Sequence, residues 1–323
     1  MTPPSLVVDG LTKQFGPLRA VDDLSFQVRP GAVTGFLGPN GAGKTTTLRM
    51  LLGLTRPTAG RTLVGDRPYV DHPSPGRVVG AALEASSFHP GRTGLGHLEV
   101  FAPQVGVSRA RCRAVLEAVG LDHAARQRVG GYSMGMRQRL GLATALLADP
   151  PVIVLDEPTN GLDPEGIKWI RGLLRQFAAE GRTVLVSSHL LREVEASVDD
   201  VVIIAQGRLR HASSLTALRE QASPATYVVA PDAAALADLA RSHGWRTVPE
   251  RDGLVVDGAT APEIGAAAYR SGLELHELTR RDVDIEELFF RLTRATPVPP
   301  PAASPPPATP PSPGPAPLKG DDR

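Results

Sequence analysis

Buried strands alternate with helices along the first two thirds of the chain. Runs of mostly consecutive apolar residues, a pattern typical of strands covered on both faces, occur at 33–37, 78–83, 152–155 and 183–187. Apolar residues at helical spacing occur at 109–119, about 133–147 and 164–180. Helices placed between buried strands predict an α/β fold.

Shorter strands flank this core. They are predicted at 6–8, 24–28 and 61–65, and a closing hairpin at 201–209 turns at Gln206-Gly207. Proline and glycine interrupt any period at 84–96, so this segment is predicted to be irregular.

The pattern changes after a linker-like stretch at 221–224. Strands are predicted at 227–229, 254–256 and 275–278, and helices at 233–243, 262–271 and 285–292. Asp232 is a suitable N-cap for the first of these helices. These elements predict a small α+β domain, and they bring no cluster of catalytic residue types.

The C-terminal stretch has a different composition. Of the chain's 31 prolines, 12 lie from Pro297 to Pro317, interleaved with Ala, Ser and Thr. Such a segment cannot bury a core and favours extended geometry, so we predict a disordered tail. A docking site for a proline-recognising domain is the alternative. The predicted domains are therefore 1–221, 225–294 and the tail 295–323.

Charge and cysteine content narrow the class of protein. Lys plus Arg number 35 and Asp plus Glu 34, and this formal net charge of +1 gives no overall case for nucleic-acid binding. Hydrophobic residues make up 41% and charged residues 21%, which suits a folded soluble protein. Cys112 is the only cysteine, so no internal disulfide forms, as fits a reducing cytoplasm.

Neither a secretory nor a membrane-spanning segment is predicted. The start, Met1-Thr2-Pro3-Pro4-Ser5, lacks a basic region followed by an apolar one. No apolar run approaches the roughly 20 residues that span a bilayer. If the protein works at a membrane, we expect it to do so from one side and through a partner.

One glycine-rich stretch carries the strongest chemical indication. Between a predicted strand and a helix expected from Gly43 lies the sequence Gly38-Pro39-Asn40-Gly41-Ala42-Gly43-Lys44-Thr45-Thr46, which matches G-x-x-x-x-G-K-[ST]. Glycines with positive φ let several N–H groups point into one hollow, and the helix N-terminus adds partial positive charge. Lys44 is placed to reach the β and γ phosphates, and the Thr45 hydroxyl suits Mg²⁺. This context favours a phosphate-binding loop over a simple turn with a surface lysine.

Further polar residues follow the buried strands, at the strand ends where parallel sheets bind ligands. Asp156 can hold Mg²⁺ directly or through water, and Glu157 can act as general base on an attacking water. His189 follows the next strand and can hydrogen-bond a γ phosphate. Taken alone, a histidine in such a position is more often structural than functional.

Two more positions gain meaning only from their context. Ser133 is a good N-cap for the helix that follows, and Gly135 would let a phosphate approach the backbone. Phe15 precedes the nucleotide strand and can stack on a purine. By themselves these residues also fit a simply capped helix and an ordinary packed aromatic.

Together these motifs resemble the ATP-binding subunits of ABC transporters, over about residues 5–220. Residues 38–46 resemble the Walker A loop, Leu155-Asp156-Glu157 resembles Walker B with its catalytic glutamate, and Asn160-Gly161-Leu162-Asp163 resembles the D-loop. Tyr132-Ser133-Met134-Gly135-Met136 resembles a variant of the signature motif, usually Leu-Ser-Gly-Gly-Gln. His189 and Phe15 fall at the switch histidine and the adenine-stacking aromatic. Six motifs in the family's order are far more specific than any one of them beyond Walker A.

The resemblance implies a fold and a mechanism. The fold would be a P-loop NTPase with a RecA-like core, an antiparallel β subdomain and a helical subdomain. Two copies would pair head to tail, and Ser133, Gly135, Met136 and Asp163 would contribute to composite ATP sites. Thr45 and Asp156 would hold Mg²⁺. ATP binding would close the dimer and hydrolysis would reopen it, driving a separate permease at the cytoplasmic face of the membrane through the segment 84–96.

Some positions depart from the family's usual pattern. Met134 and Met136 replace a Gly and the Gln of the signature, and Glu84 stands where a Q-loop glutamine is expected. Glu84 can still ligate Mg²⁺ or water, but it adds negative charge near the γ phosphate. Glu84 and the variant signature resemble those of drug and peptide-antibiotic exporters of the bacitracin- and daunorubicin-resistance type. The sequence Glu286-Glu287-Leu288-Phe289-Phe290 is similar to the C-terminal region of the same branch.

Two other classes of protein remain as alternatives. A soluble ATPase of the same superfamily would act on ribosomes or DNA, but those proteins usually carry two such domains or long coiled-coil insertions, which this sequence lacks. An unrelated P-loop kinase would need neither the signature at 132–136 nor His189. The transported molecule is not set by this sequence, because the family's permease mainly selects it.

Overall fold

The computed structural model describes residues 3–83, 88–221, 225–281 and 285–294. The strands are β1 (Leu6–Phe15), β2 (Leu18–Val28), β3 (Ala32–Leu37), β4 (Ala59–Val64), β5 (Val79–Ala82), β6 (Val152–Asp156), β7 (Thr183–Ser188), β8 (Asp200–Ala205), β9 (Arg208–Ser214), β10 (Ala225–Val229), β11 (Arg246–Glu250), β12 (Gly253–Asp257) and β13 (Glu277–Arg281). The helices are α1 (Lys44–Leu51), α2 (Pro75–Val78), α3 (Gly94–Phe101), α4 (Arg109–Ala118), α5 (Met134–Leu146), α6 (Pro164–Ala179), α7 (Leu191–Val194), α8 (Leu215–Gln221), α9 (Ala233–Ser242), α10 (Ala261–Arg270) and α11 (Ile285–Thr293). No helix among these is long and apolar enough to cross a membrane.

A six-stranded sheet in the order β5-β6-β7-β3-β8-β9 lies at the centre of the fold. Its strands pair in parallel, except that β9 returns antiparallel to β8. Strands β3, β6 and β7 are buried along their whole length because apolar clusters cover both faces of the sheet. The predicted α/β core is therefore confirmed.

Two smaller layers cover this sheet. Strands β2-β1-β4 form an antiparallel sheet that packs, with α1, against one face. The rings of Phe26 and Phe36 stack across this interface at 5.1 Å. Helices α3, α4 and α5 pack together beside the opposite face. The arrangement brings the end of β1 next to the loop that follows β3.

Helix α3 begins at Gly94, so the prediction of an irregular segment at 84–96 is wrong for its last three residues. Gly94 and Gly96 weaken the helical pattern in the sequence. The Thr93 side chain caps α3 by accepting a hydrogen bond from the Gly96 N–H, and Leu98 is fully buried in the core. Tertiary packing thus stabilises a helix that the local sequence disfavours.

The C-terminal sheet has the order β11-β12-β10-β13 and follows the chain sequence β-α-β-β-α-β. This is the ferredoxin-like arrangement, with α9 and α10 packed on the sheet. Asp232 caps α9 as predicted, accepting from the Ala235 N–H. Strand β11 was not predicted, because it is a largely exposed edge strand that contains Pro249, a residue tolerated at sheet edges.

Helix α11 leaves this small sheet and packs on the central one. Ile285, Leu288 and Phe289 join the apolar cluster that also contains residues of β8 and α7. Arg192 of α7 lies 3.1 Å from Glu286 of α11. After the small C-terminal sheet, the chain therefore returns to the central sheet at α11.

We expect Gly80→Ala to destabilise the fold by about 2 kcal/mol, the usual cost of overpacking a core position. A Cβ placed at Gly80 would overlap the Ala145 carbonyl of α5, which crosses β5 closely there. The measurement is the urea-unfolding midpoint. Gly172→Ala is the control: Gly172 is exposed in mid-helix with nothing near its Cβ position, so the change stabilises by about 0.5–1 kcal/mol. Equal midpoints for the two variants would contradict the prediction.

Candidate functional site

The glycine-rich loop joins the end of β3 to the start of α1. Gly41 and Gly43 have φ angles of 79° and 102°, which side-chain-bearing residues rarely adopt. A Cβ at Gly43 would lie 2.5 Å from the Ala20 carbonyl oxygen, and one at Gly38 would overlap the Ile204 carbonyl. Gly43 is the N-cap and Lys44 the first residue of α1, one position later than predicted. The sequence pattern and the fold thus require glycine at the same places.

The charged ammonium group of Lys44 lies buried beneath this loop. Its side chain is 6% exposed, and Nζ donates to the Gly38 carbonyl at 2.6 Å. The same Nζ lies 3.2 Å from Glu157 Oε1. A buried ammonium group needs such acceptors, and the negative oxygens of a phosphate would serve equally well.

Asp156 ends β6 beside the hydroxyl of Thr45. Thr45 Oγ1 donates to Asp156 Oδ2 at 2.8 Å, and Ser187 Oγ donates to Oδ1. Burial raises the pKa of Asp156, while the hydrogen bonds from Ser187 and Thr45 oppose the rise. The pair of hard oxygen donors from Thr45 and Asp156 fits the ligand preference of Mg²⁺.

Glu157 and His189 meet at the ends of β6 and β7. His189 Nδ1 lies 2.8 Å from Glu157 Oε2. Glu157 has a φ angle of +48°, a costly conformation for a residue with a side chain, of the kind that clusters at functional sites. Its N–H donates to Ser187 Oγ at 2.9 Å, and its carbonyl accepts from Gln138 Nε2 at 3.1 Å. These contacts fix the carboxylate in a direction that the strand alone does not determine.

Sequence reasoning missed Ser187 and Gln138. Ser187 pairs in register with Asp156 across β6 and β7, and that pairing was the only available signal for its position. Gln138 lies on α5, whose contact with the loop after β6 is set by packing. Neither residue belongs to a motif that spacing along the chain would identify.

A cavity of about 450 Å³ lies between the phosphate loop and the pair Glu157 and His189. Its lining comprises Phe15, Leu18, Ala20, residues 40–46, Glu157, Asn160 and His189. Phe15 is 48% exposed at the rim, and Lys13 Nζ lies 4.8 Å from its ring centroid. Leu18 and Ala20 were not predicted and place apolar surface beside Phe15, where a purine ring would rest.

The remaining predicted residues do not line this cavity. Ser133 caps α5 by accepting from the Met136 N–H at 3.2 Å, and Asp163 caps α6 by accepting from the Gly166 N–H at 2.8 Å. Ser133 and Asp163 are exposed, and Gly135 is partly so. Glu84 lies outside the described residues. One chain therefore presents two separate parts of the predicted site.

Comparison with protein families gives two matches. Residues 21–160 match the ABC transporter family model, and residues 224–286 match a domain of unknown function, DUF8746. The bacitracin transport ATP-binding protein BcrA of Bacillus licheniformis is 45% identical over 202 residues, 62% of this chain and 66% of that protein. The protein YdbJ of Bacillus subtilis, an uncharacterized ABC transporter ATP-binding protein, is 36% identical over 91% of this chain and 97% of its own length. The Nod factor export ATP-binding protein I of Ralstonia nicotianae is 36% identical over 90% and 94%.

Solved structures resemble the same part of the fold. An ATP-binding subunit of an ABC transporter is 28% identical and superposes with a TM-score of 0.61, covering 67% of this chain and 92% of that one. The cassette MJ0796, solved as a dimer, has a TM-score of 0.59 at 23% identity, covering 65% and 98%. The fold of this part of the chain is therefore that of an ABC ATP-binding cassette.

Proposed function

We propose that this chain, which belongs to the ATP-binding proteins of ABC transporters and is an ATPase, drives export of a drug-like or peptide-antibiotic molecule through a separate permease. The observation that carries the proposal is the cavity that joins the phosphate loop to Glu157 and His189. The substrate class rests on the likeness to the bacitracin transport protein, and the export direction on the likeness to the Nod factor export protein. Substrate choice is left to the permease.

In this proposal the cavity binds ATP. Backbone N–H groups from residues 40–46, which line the cavity, and the Lys44 ammonium hold the phosphates, and Phe15 stacks on the adenine. Thr45 and Asp156, whose side-chain oxygens meet at 2.8 Å, would hold Mg²⁺, and the ion would supply charge neutralisation at the phosphate oxygens. Lys44 then exchanges its contact with Glu157 for the phosphates, which frees the carboxylate.

Glu157 acts as the general base of hydrolysis. Its carboxylate takes a proton from water aligned with the γ phosphate, and His189 hydrogen-bonds the γ phosphate. The contact between His189 and Glu157, 2.8 Å in this structure, orients both side chains before the reaction. Ser187 and Gln138 hold the backbone of Glu157 from either side.

A second copy of the chain completes each site. Ser133, Gly135 and Met136 stand exposed or partly exposed at the start of α5 and do not line their own chain's cavity. In a head-to-tail homodimer the N-terminus of α5 would meet the γ phosphate held by the partner, with Asp163 at the same interface. The dimer of the related cassette MJ0796 is consistent with this pairing.

The rest of the chain is assigned less directly. We divide it into an ABC nucleotide-binding domain at 1–221, a small C-terminal domain at 225–294 and a Pro-rich tail at 295–323. By its resemblance to the Q-loop glutamine, Glu84 would act near the γ phosphate, and the segment 84–96 would contact the permease. The protein would bind the permease at the cytoplasmic face of the membrane. Nucleic acid is not an expected partner.

The decisive experiment is to tag this chain, extract native membranes in mild detergent and identify what copurifies. We expect a polytopic membrane protein in stoichiometric amount, because ATP-driven dimer closure does work only on an attached permease. The control is the same purification from cells that carry the tag alone.

Recovery only in the soluble fraction, with ribosomes or DNA factors attached, would contradict the proposal. It would favour a soluble ATPase of the same superfamily. The identity of a copurifying permease would also narrow the class of substrate.

A further inference from the structure

The loops that carry Glu157 and His189 also contact each other at a second place, away from the cavity. The loop after β6 runs from Glu157 through Thr159 to the cap of α6, and the loop after β7 runs through His189 into α7. Thr159 Oγ1 donates to Glu193 Oε2 of α7 at 2.6 Å. Ser188 Oγ lies 3.3 Å from the same carboxylate oxygen.

These contacts are shielded from water. Thr159 is 3% exposed, so its hydroxyl group depends on a protein partner, and Glu193 is that partner. The buried Ser188 hydroxyl also bonds the N–H and the carbonyl of Leu190, both at 3.0 Å, so its contact with Glu193 is secondary. Leaving a buried hydroxyl unpaired costs about 1–3 kcal/mol. The Glu193 carboxylate therefore stabilises one relative position of the two loops over others.

Glu193 is itself held in place. Arg171 of α6 donates through Nε to the Glu193 carbonyl at 2.8 Å and through Nη2 to the Arg192 carbonyl at 2.9 Å. These bonds satisfy carbonyl groups at the end of α7, which have no partner within so short a helix. The carboxylate thus projects from a segment fixed to α6, four residues after His189.

The loop bound by Glu193 also touches both parts of the proposed site. Asn160, next to Thr159, lines the cavity. Gly161 packs against the side chain of Met134 so closely that a Cβ at Gly161 would overlap it. A shift of this loop would therefore move Glu157, at its start, together with Met134 at the start of α5.

We propose that Glu193 is a positioning residue for ATP hydrolysis, which locks the loop after β6 to the switch-histidine segment through Thr159. This inference rests on the roles proposed for Glu157 and His189. Glu193 does not touch nucleotide. It sets the distance and angle at which Glu157 and His189 face the γ phosphate, and small errors in such geometry are costly to rate.

The test compares steady-state ATP hydrolysis of purified variants. Glu193→Ala and Thr159→Val should each lower kcat by about tenfold or more, while the KM for MgATP stays within about twofold. The phosphate loop is untouched, so binding is preserved. The matched control is Glu195→Ala, two residues after Glu193, which removes a partly exposed carboxylate that pairs with Arg219 at 2.8 Å.

Conservative variants separate positioning from simple loss of stability. Thr159→Ser keeps the hydroxyl and Glu193→Gln keeps an acceptor oxygen, so both should retain kcat within about threefold of the parent enzyme, since the hydrogen bond is remade. The double variant Thr159→Val with Glu193→Ala should be no slower than the slower single variant, because both remove one contact. If Glu193→Ala fails to fold, Thr159→Val and Thr159→Ser decide the question.

Three results would overturn the proposal. They are a parental kcat in Thr159→Val, additive losses in the double variant, and a rise in KM in place of a fall in kcat. Glu157→Gln serves as the reference for the chemistry. If Glu157→Gln is inactive while Glu193→Ala is fully active, the positioning role alone fails; if Glu157→Gln hydrolyses ATP at the parental rate, the proposed base fails instead.

Discussion

Glu157→Gln is expected to lower ATP hydrolysis by about a hundredfold or more, the usual effect of losing a general base. The amide keeps the size of the side chain and can still contact His189, which lies 2.8 Å from the carboxylate. It cannot accept the proton from water. Nucleotide binding should be preserved or strengthened, because the change removes a negative charge beside the phosphates and 3.2 Å from Lys44.

The measurement pairs phosphate release at saturating MgATP with molar mass by light scattering. With hydrolysis blocked, MgATP should hold the variant as a dimer, because reopening follows the chemical step. Glu180→Gln is the matched control, since Glu180 lies at the far end of α6, before β7 begins. Hydrolysis by Glu157→Gln at the parental rate would show that another group acts as base.

Lys44→Ala is expected to weaken MgATP binding by about 2 kcal/mol or more, roughly thirtyfold in Kd. The alanine removes the buried ammonium that lies under the loop and would face the β and γ phosphates. It also leaves Glu157 without its cationic partner, so the carboxylate would repel the nucleotide. Hydrolysis should fall at least as far as binding.

Isothermal titration with MgATP measures this change directly. Lys168→Ala provides the control, because Lys168 is an exposed lysine on α6. The melting temperature without nucleotide should stay close to the parent value, since Lys44 bonds mainly to loop carbonyls. A Kd within twofold of the parent for Lys44→Ala would contradict the assignment of the phosphate loop.

The sequence was most informative where one residue type is required by local geometry. Glycine at positive φ and a lysine at a helix start can be read from spacing, so the phosphate loop was predicted to within one residue of the start of α1. The caps of α5 and α9 were predicted for a similar reason, because Ser133 and Asp232 bond only to backbone groups three residues away. Long apolar runs predicted β3, β6 and β7 because both of their faces must be buried.

Prediction was weaker where packing outweighs local preference. Helix α3 begins at a glycine and is stabilised by burial of Leu98, and β11 is an exposed edge strand with a proline. Helix α11 was predicted from its amphipathic pattern, but the pattern does not say which surface it covers. In the structure it covers α7 and β8, next to the segment that follows His189.

The sequence by itself determined the chemistry available to this protein: a phosphate loop, two carboxylates after a buried strand and a histidine after the next. Those features depend on residue type and short-range spacing. Only the tertiary structure decided how they meet, because the contacts of Ser187 with Asp156 and of Glu193 with Thr159 join residues about thirty positions apart in the chain. Parallel strands place such residues side by side, and no periodicity along the sequence records which pairs will face each other.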